Sequence, residues 1–206
     1  MTVHRRKPNS RAAIGLRVKS GRAIAVVLQG PAESPAVVRR QELLLADPDK
    51  PKTWQPFHVV MDLPWKEALV ATRESAREAG AASARGLREI QKELRHQGLE
   101  LKGAGIVATG SQDPARIGSP HIRAHAAEGR FFREAAERGA HTCGLARRTF
   151  AQKNIYEASA PEMGCSVATL KSRVAALGAA RIKPWRAEEK EAALAAWVVL
   201  ARRARK

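Results

Sequence analysis

Cysteine is almost missing from this chain: 206 residues contain Cys143 and Cys165 alone, with no CxxC pair between them. A disulfide framework and a cysteine-based zinc module are thereby excluded, and a reducing, cytoplasmic setting is expected. Aromatic residues make up 4% of the sequence, too few for a platform on which single-stranded bases stack. No apolar run approaches the roughly 20 residues that cross a bilayer, and no secretory segment follows the basic start, so no membrane partner is expected. Neither a G-x-x-x-x-G-K-[ST] loop nor a G-x-S-x-G elbow occurs, which removes P-loop nucleotide hydrolysis and the common serine-hydrolase arrangement. Acid is also scarce: 20 Asp and Glu stand against 37 Lys and Arg, a formal net charge of +17. Such a field attracts polyanions, and nucleic acid, DNA or RNA, is the commonest inside a cell. An acidic protein partner would answer the same charge.

What is present divides the chain in a regular order. Residues 1–11, "MTVHRRKPNSR", read as a basic flexible arm, residues 202–206 as a basic tail, and residues 12–201 as one domain. "AIGLRVKSGRAIAVVL" holds two apolar runs around Lys19-Ser20-Gly21-Arg22, which predicts a hairpin, and "VVRRQELLLA" predicts a third strand. "DPDKPKTWQPFH" reads as a loop that packs Trp54 and Phe57 over the core. A long helix follows over 63–98, with an interruption expected near Gly80 or Gly86. "LKGAGIVATG" is a buried strand, Pro120 opens the helix "HIRAHAAEGRFFREAAERGA", and "HTCGLARRTF" is a short strand. "ATLKSRVAALG" and "EEKEAALAAWVVLARRA" are helices, with Trp185 and Trp197 as core anchors. Three strands in an antiparallel meander, then two further strands alternating with helices, predict an α/β mixed sheet with helices on both faces.

"IGLRVKSGRAIAV" is similar to the G-I-D-x-G hairpin of one family, and "CGLARRTF", a helix and "EEKEAALAAW" are similar to its closing strand, helix and D-x-x-D-A-L-A helix. The chain thus resembles the ribonuclease H-like superfamily, and within it the bacterial Holliday-junction resolvases of the RuvC and YqgF type. The resemblance implies cleavage by two Mg²⁺ ions about 3.5–4 Å apart, held by carboxylates on the first strand, at the end of the fourth strand and on the last helix. Carried over, the first position falls on Arg17, or on Leu16 if the register slips by one. The second falls on Ala108 or Thr109, and the third on Glu188 and Glu191 with Glu189 beside them. Only the last keeps acids, so the metal-binding positions are degenerate and no nuclease activity is expected. Arg17 would repel a metal and is expected to receive a phosphate instead. No metal or other cofactor is expected, Mg²⁺ entering only with the nuclease alternative.

Other side chains extend the list of candidates. His121, His125 and Glu128 fall at i, i+4 and i+7 on one side of a helix, a spacing that suits a metal or an acid-base pair, although a third and a fourth ligand are not identifiable. The same residues suit a helix face turned to the sheet. His125, Glu128, Glu188 and Glu191 are therefore the candidates for catalysis, while acids in a first helical turn also complement the helix dipole with no catalytic role. "MGCSVATLKSRVAALG" resembles a helix-turn-helix recognition segment that would turn Ser166, Thr169, Lys171 and Arg173 to DNA. It equally fits the helix between the last strand and the terminal helix. Arg17, Lys19, Arg147, Arg148, Lys153, Lys171 and Arg173 are the candidates for phosphate contact. Three functions stay open: a nucleic-acid-binding protein with a resolvase-like fold and no cleavage, a nuclease with relocated carboxylates (Glu128, Glu188, Glu191), and a scaffold for an acidic partner. A homodimer is compatible with each.

Overall fold

The computed structural model describes residues 10–109, 112–178 and 183–204. The opening apolar runs form β1 (Ser10–Lys19) and β2 (Arg22–Gln29), joined by a two-residue turn. Gly21 sits in that turn at φ 71°, and a side chain there would meet the indole of Trp54 at 2.1 Å, so the turn needs glycine twice over. β3 (Ala36–Leu44) pairs antiparallel with β2, while β4 (Leu99–Ala108) runs parallel to β1 and β5 (Ala146–Ala151) parallel to β4. The sheet order is β3-β2-β1-β4-β5. β1 and β2 are central and covered on both faces, and for that reason they read as continuous apolar runs rather than as alternation.

On one face lie α1 (Pro56–Val59), α2 (Trp65–Ala71), α3 (Arg73–His96) and α4 (Pro120–Thr142). Ile14, Leu16 and Ile106 of the sheet pack there with Leu87 and Ile90 of α3 and Phe132 of α4. The other face carries α5 (Ile155–Ser159), α6 (Val167–Gly178) and α7 (Ala187–Ala204), where Ala13, Val26 and Val107 meet Leu170, Val174 and the buried stripe of α7. The chain has a ribonuclease H-like α/β fold. No described helix is long and apolar enough to cross a membrane. Trp197 is buried and Trp185 partly so, both within this second core.

Two glycines set the position of α7. A Cβ at Gly15 would stand 1.7 Å from the Ala192 carbonyl oxygen, and one at Gly105 would stand 2.5 Å from that of Ala195. The alanine-rich helix therefore lies backbone to backbone on β1 and β4. Arg17, two residues beyond Gly15 on the same strand face, meets the start of that helix.

The structure corrects the sequence reading in three places. The long helix breaks at Thr72 (φ −92°, ψ 0°), whose hydroxyl donates to the Ala68 carbonyl at 2.9 Å, and it runs unbroken through Gly80 and Gly86. Those glycines give room to neighbours, since a Cβ would lie 2.9 Å from Arg138 Cδ and 2.0 Å from Leu43 Cδ1, respectively. β1 begins at Ser10, inside the expected arm, because the Ser10 N–H donates to the Gly98 carbonyl and the strand pairs with β4 from Leu99 onward. At the other end α7 continues to Ala204, through part of the expected tail. Residues 1–9 and 205–206, the rest of the arm and tail, lie outside the described residues. Phe57 is buried and Trp54 packs on the core, as expected, but the segment adds a turn of helix, α1.

Candidate functional site at the carboxyl edge of the sheet

β1 and β4 run side by side in register, with Arg17 opposite Val107, so β4 delivers Thr109 just past the level of Arg17. Arg17 is 7% exposed. Its Nε donates to Glu191 Oε2 at 2.5 Å, and its Nη1 donates to the Val18 carbonyl at 2.6 Å. Glu191 Oε1 accepts from Gln152 Nε2 at 2.9 Å. Both carboxylate oxygens thus have donors, which a buried acid requires. Arg17 therefore meets an internal anion where a phosphate was expected. Leu16 faces the opposite core, whereas Arg17 faces Glu191. Tyr156 stands half-buried nearby; burial, and then the charge of Glu191, pushes its phenol up to about 12, so it stays a neutral donor.

Gln152 also lines a cavity of about 230 Å³ together with Thr109, Arg133, Thr149 and Lys153, at the ends of β4 and β5. Of the positions carried over from the resemblance, Arg17 and Glu191 touch, and Thr109 shares the cavity wall with Gln152, which bonds Glu191. As a donor set they do not fit two Mg²⁺ ions, which need several anionic oxygens. One carboxylate is present, and it is engaged by a guanidinium and an amide.

The acids before Glu191 are answered in the same way. Lys19 Nζ stands 2.5 Å from Glu188 Oε1, and Arg40 Nη2 is 2.6 Å from Glu189 Oε1. Burial alone would raise the pKa of Glu189, but the Arg40 guanidinium and the Arg186 N–H outweigh it and hold the carboxyl below its ordinary value. Each acid in the first turn of α7 thus has a cation from the sheet. Glu128, proposed as a relocated ligand, lies on α4 in the other layer, and among the described residues it does not cluster with Glu188 and Glu191.

The remaining basic candidates divide by partner. Arg148 makes a two-pronged pair with Glu162 at 2.7 and 2.5 Å, to which Arg202 adds a third contact at 3.0 Å. Hydrogen bonding from Arg148 is the main reason that Glu162 is pulled down to about 2. Arg147 is exposed beside His141 Nδ1, and Lys153 is exposed with no carboxylate partner among the described residues. Lys171 lies over the Tyr156 ring and Arg173 over that of Trp197, both on the exposed side of α6. Leu170 and Val174 anchor α6 on the core beside α7, so this segment is the helix between the last strand and the terminal helix. Ser166 accepts the Thr169 N–H at 3.1 Å and serves as its helix cap.

α4 carries a second grouping. His121 and His125, one turn apart, place their Nε2 atoms 3.1 Å from each other. Glu128, 2% exposed, turns inward and accepts from both the Nδ1 and the backbone N–H of His58, at 2.8 and 3.3 Å. Sequence reading missed His58. α1 brings it there because Phe57 is buried, stacked on Trp65 and edge-on to Phe131 of α4. The cue was the apolar Pro56-Phe57 pair inside a polar segment.

No family model matches the sequence, and neither does any curated protein. Solved structures do match. The Thermus thermophilus RuvC structure is 11% identical over 94% of this chain and 96% of its own, with a TM-score of 0.54. T. thermophilus RuvC in complex with Holliday junction substrate is 10% identical over 91% of each chain, also with a TM-score of 0.54. At this identity the likeness is one of fold.

Proposed function

We propose that this chain binds nucleic acid on the positively charged surface formed by the exposed side of β5, the segment into α5, and α6, and that it does not cleave by two-metal chemistry. The observation that carries the second half is the Arg17–Glu191 pair, which puts a guanidinium at the first carboxylate position of the resemblance. The first half draws support from the net charge of +17 and from the fold shared with RuvC, one structure of which contains a Holliday junction. Lys153 at the cavity, with Arg147, Lys171 and Arg173, supplies the phosphate contacts. Arg17, Lys19 and Arg148 hold the frame instead, since each already faces a carboxylate.

Fluorescence anisotropy with branched DNA, duplex DNA and structured RNA across a salt series tests this. Affinity should fall with log salt at about 0.9 per neutralised phosphate on duplex DNA, and Lys171→Gln and Arg173→Gln should each lower that slope by about 1. Arg148→Gln should leave the slope in place. Binding no tighter than about 10 µM at about 50 mM salt to every probe would favour an acidic protein partner. Mg²⁺-dependent cleavage that disappears in Glu191→Ala would overturn the non-cleaving half.

A further inference from the structure

We propose that His58, His121 and His125 form a binding site for one divalent transition-metal ion, with Zn²⁺ preferred, and that Glu128 is the residue that positions His58. One ligand nitrogen from each histidine can be chosen so that all three lie within 4.8 Å of one another, and among the described residues no other group of three His, Cys, Asp or Glu converges in this way. The ring centroids are 4.4 Å apart for His58 and His125, 4.5 Å for His121 and His125, and 5.2 Å for His58 and His121. His121 and His125 share one helix face at i and i+4, the spacing that delivers two imidazoles to one ion. Their Nε2 atoms are 3.1 Å apart. Two nitrogens on a tetrahedral zinc with Zn–N bonds of 2.0–2.1 Å stand roughly 3.3 Å apart.

The buried carboxylate fixes the tautomer. An ionised Glu128 can only accept, so His58 Nδ1 then carries the proton and Nε2 is the nitrogen left with a lone pair. This is the carboxylate–histidine arrangement that orients metal ligands and raises their basicity. Glu128 also accepts the His58 backbone N–H, so it holds the residue as well as the ring.

Charge decides between a cation and an anion as the occupant. An anion would need these packed imidazoles to be protonated together, in a chain of net charge +17 and against one another. A metal needs them neutral and directs all three lone pairs to one point. Nitrogen ligands select Zn²⁺, Ni²⁺ or Cu²⁺ over Mg²⁺ and Ca²⁺. Three protein ligands leave a fourth position for water or for an oxygen of a bound anion, as in zinc sites that stay open. The site is on the face of α1 and α4, whereas the Arg17–Glu191 pair belongs to the face of α7, so it does not rest on the nucleic-acid reading.

The test uses the full chain without a polyhistidine tag, stripped with chelator, with metal alone as the probe. Calorimetric titration with Zn²⁺ should give one site per chain, and Co²⁺ should give the visible absorption bands of a tetrahedral nitrogen site. His121→Ala and His125→Ala, both at exposed positions, should each weaken binding at least tenfold while the circular dichroism spectrum is unchanged. Glu128→Gln should weaken it by 10- to 100-fold, the range for an outer-shell partner. Affinity should also fall as the pH is lowered, because protons compete for the imidazoles. An absence of binding would overturn the proposal, and so would one zinc per chain retained at full affinity in His121→Ala and His125→Ala. His58→Ala also cuts the tie between α1 and Glu128, so the exposed pair, whose loss leaves that tie in place, is the decisive comparison.

Discussion

Removing Glu191 should cost more than removing any other acid in this chain. Arg17 is 7% exposed and has one carboxylate partner, so Glu191→Ala leaves a buried guanidinium with only the Val18 carbonyl and takes the acceptor from Gln152. Breaking a buried ion pair from one side costs about 3–5 kcal/mol. Arg17→Met leaves the opposite orphan, a carboxylate held by Gln152 alone. That uncompensated buried charge should also be strongly destabilising. Replacing both residues by methionine removes both charges at similar volume, and the double variant should come within about 1 kcal/mol of the parent or exceed it. Equilibrium urea unfolding followed by circular dichroism of the parent, Arg17→Met, Glu191→Met and the double methionine variant gives the four corners of the cycle, with the m-value checking that the unfolded state is unchanged. The expected coupling is well above 1 kcal/mol. Strict additivity, or a cost below about 1 kcal/mol for Glu191→Ala, would show that the pair is not the desolvated contact described here.

Other perturbations test separate links. Gly15→Ala drives a Cβ into the Ala192 carbonyl, a backbone atom that cannot swing away, and should cost at least about 1–3 kcal/mol in thermal unfolding, whereas Gly118→Ala, with open space around it, should stay within about 0.5 kcal/mol. A neutral Gly15→Ala would mean that α7 does not lie on β1. Glu162 is pulled from 4.5 to about 2 by Arg148 and Arg202, so its contribution is complete above pH 4.5 and is lost as the pH falls toward 2. It is a surface contribution of less than about 1 kcal/mol, and the stability gap between the parent and Glu162→Gln should shrink in acid; a gap undiminished at pH 2 would refute the assignment. Arg17→Asp sets two carboxylates together, so it should lower the melting temperature in chelator and recover it in millimolar Mg²⁺ or Mn²⁺. An equal response in the parent would show that Arg17 does not exclude the metal.

β1, β2 and β4 were legible because each is an apolar run bounded by turn residues, and Lys19-Ser20-Gly21-Arg22 states its own geometry; β3 and β5 carry arginine pairs and were placed from the few apolar residues beside them. The helix break was not. Gly80 and Gly86 look like punctuation in a one-dimensional reading, yet their absence of a side chain serves Arg138 and Leu43, residues remote in sequence. Thr72, the actual break, looks unremarkable until its hydroxyl is seen to bond the Ala68 carbonyl. The same limit applied to the site. Arg17 and Glu191 could each be picked out from the resemblance, but the distance between them depends on how closely α7 approaches β1, and Gly15 with Ala192 sets that approach. His58 was hidden for a related reason, since a helical period finds His121 and His125 but cannot reach a residue from another segment.

A single position on β1 accounts for much of this chemistry. Gly15 lets the start of α7 lie close on the sheet and so brings Glu191 out of water, where an ionised carboxylate needs a compensating positive charge. Arg17 supplies that charge from β1, so the close packing of Gly15 and Gly105 under α7 is kept with the carboxylate paired. Lys19 and Arg40 extend the logic to Glu188 and Glu189. The charge at this edge is therefore largely settled within the protein, and what reaches solvent is the exposed set on β5, the segment after it and α6. That division is why the same basic composition can hold the frame at Arg17 and still leave Lys153, Lys171 and Arg173 exposed.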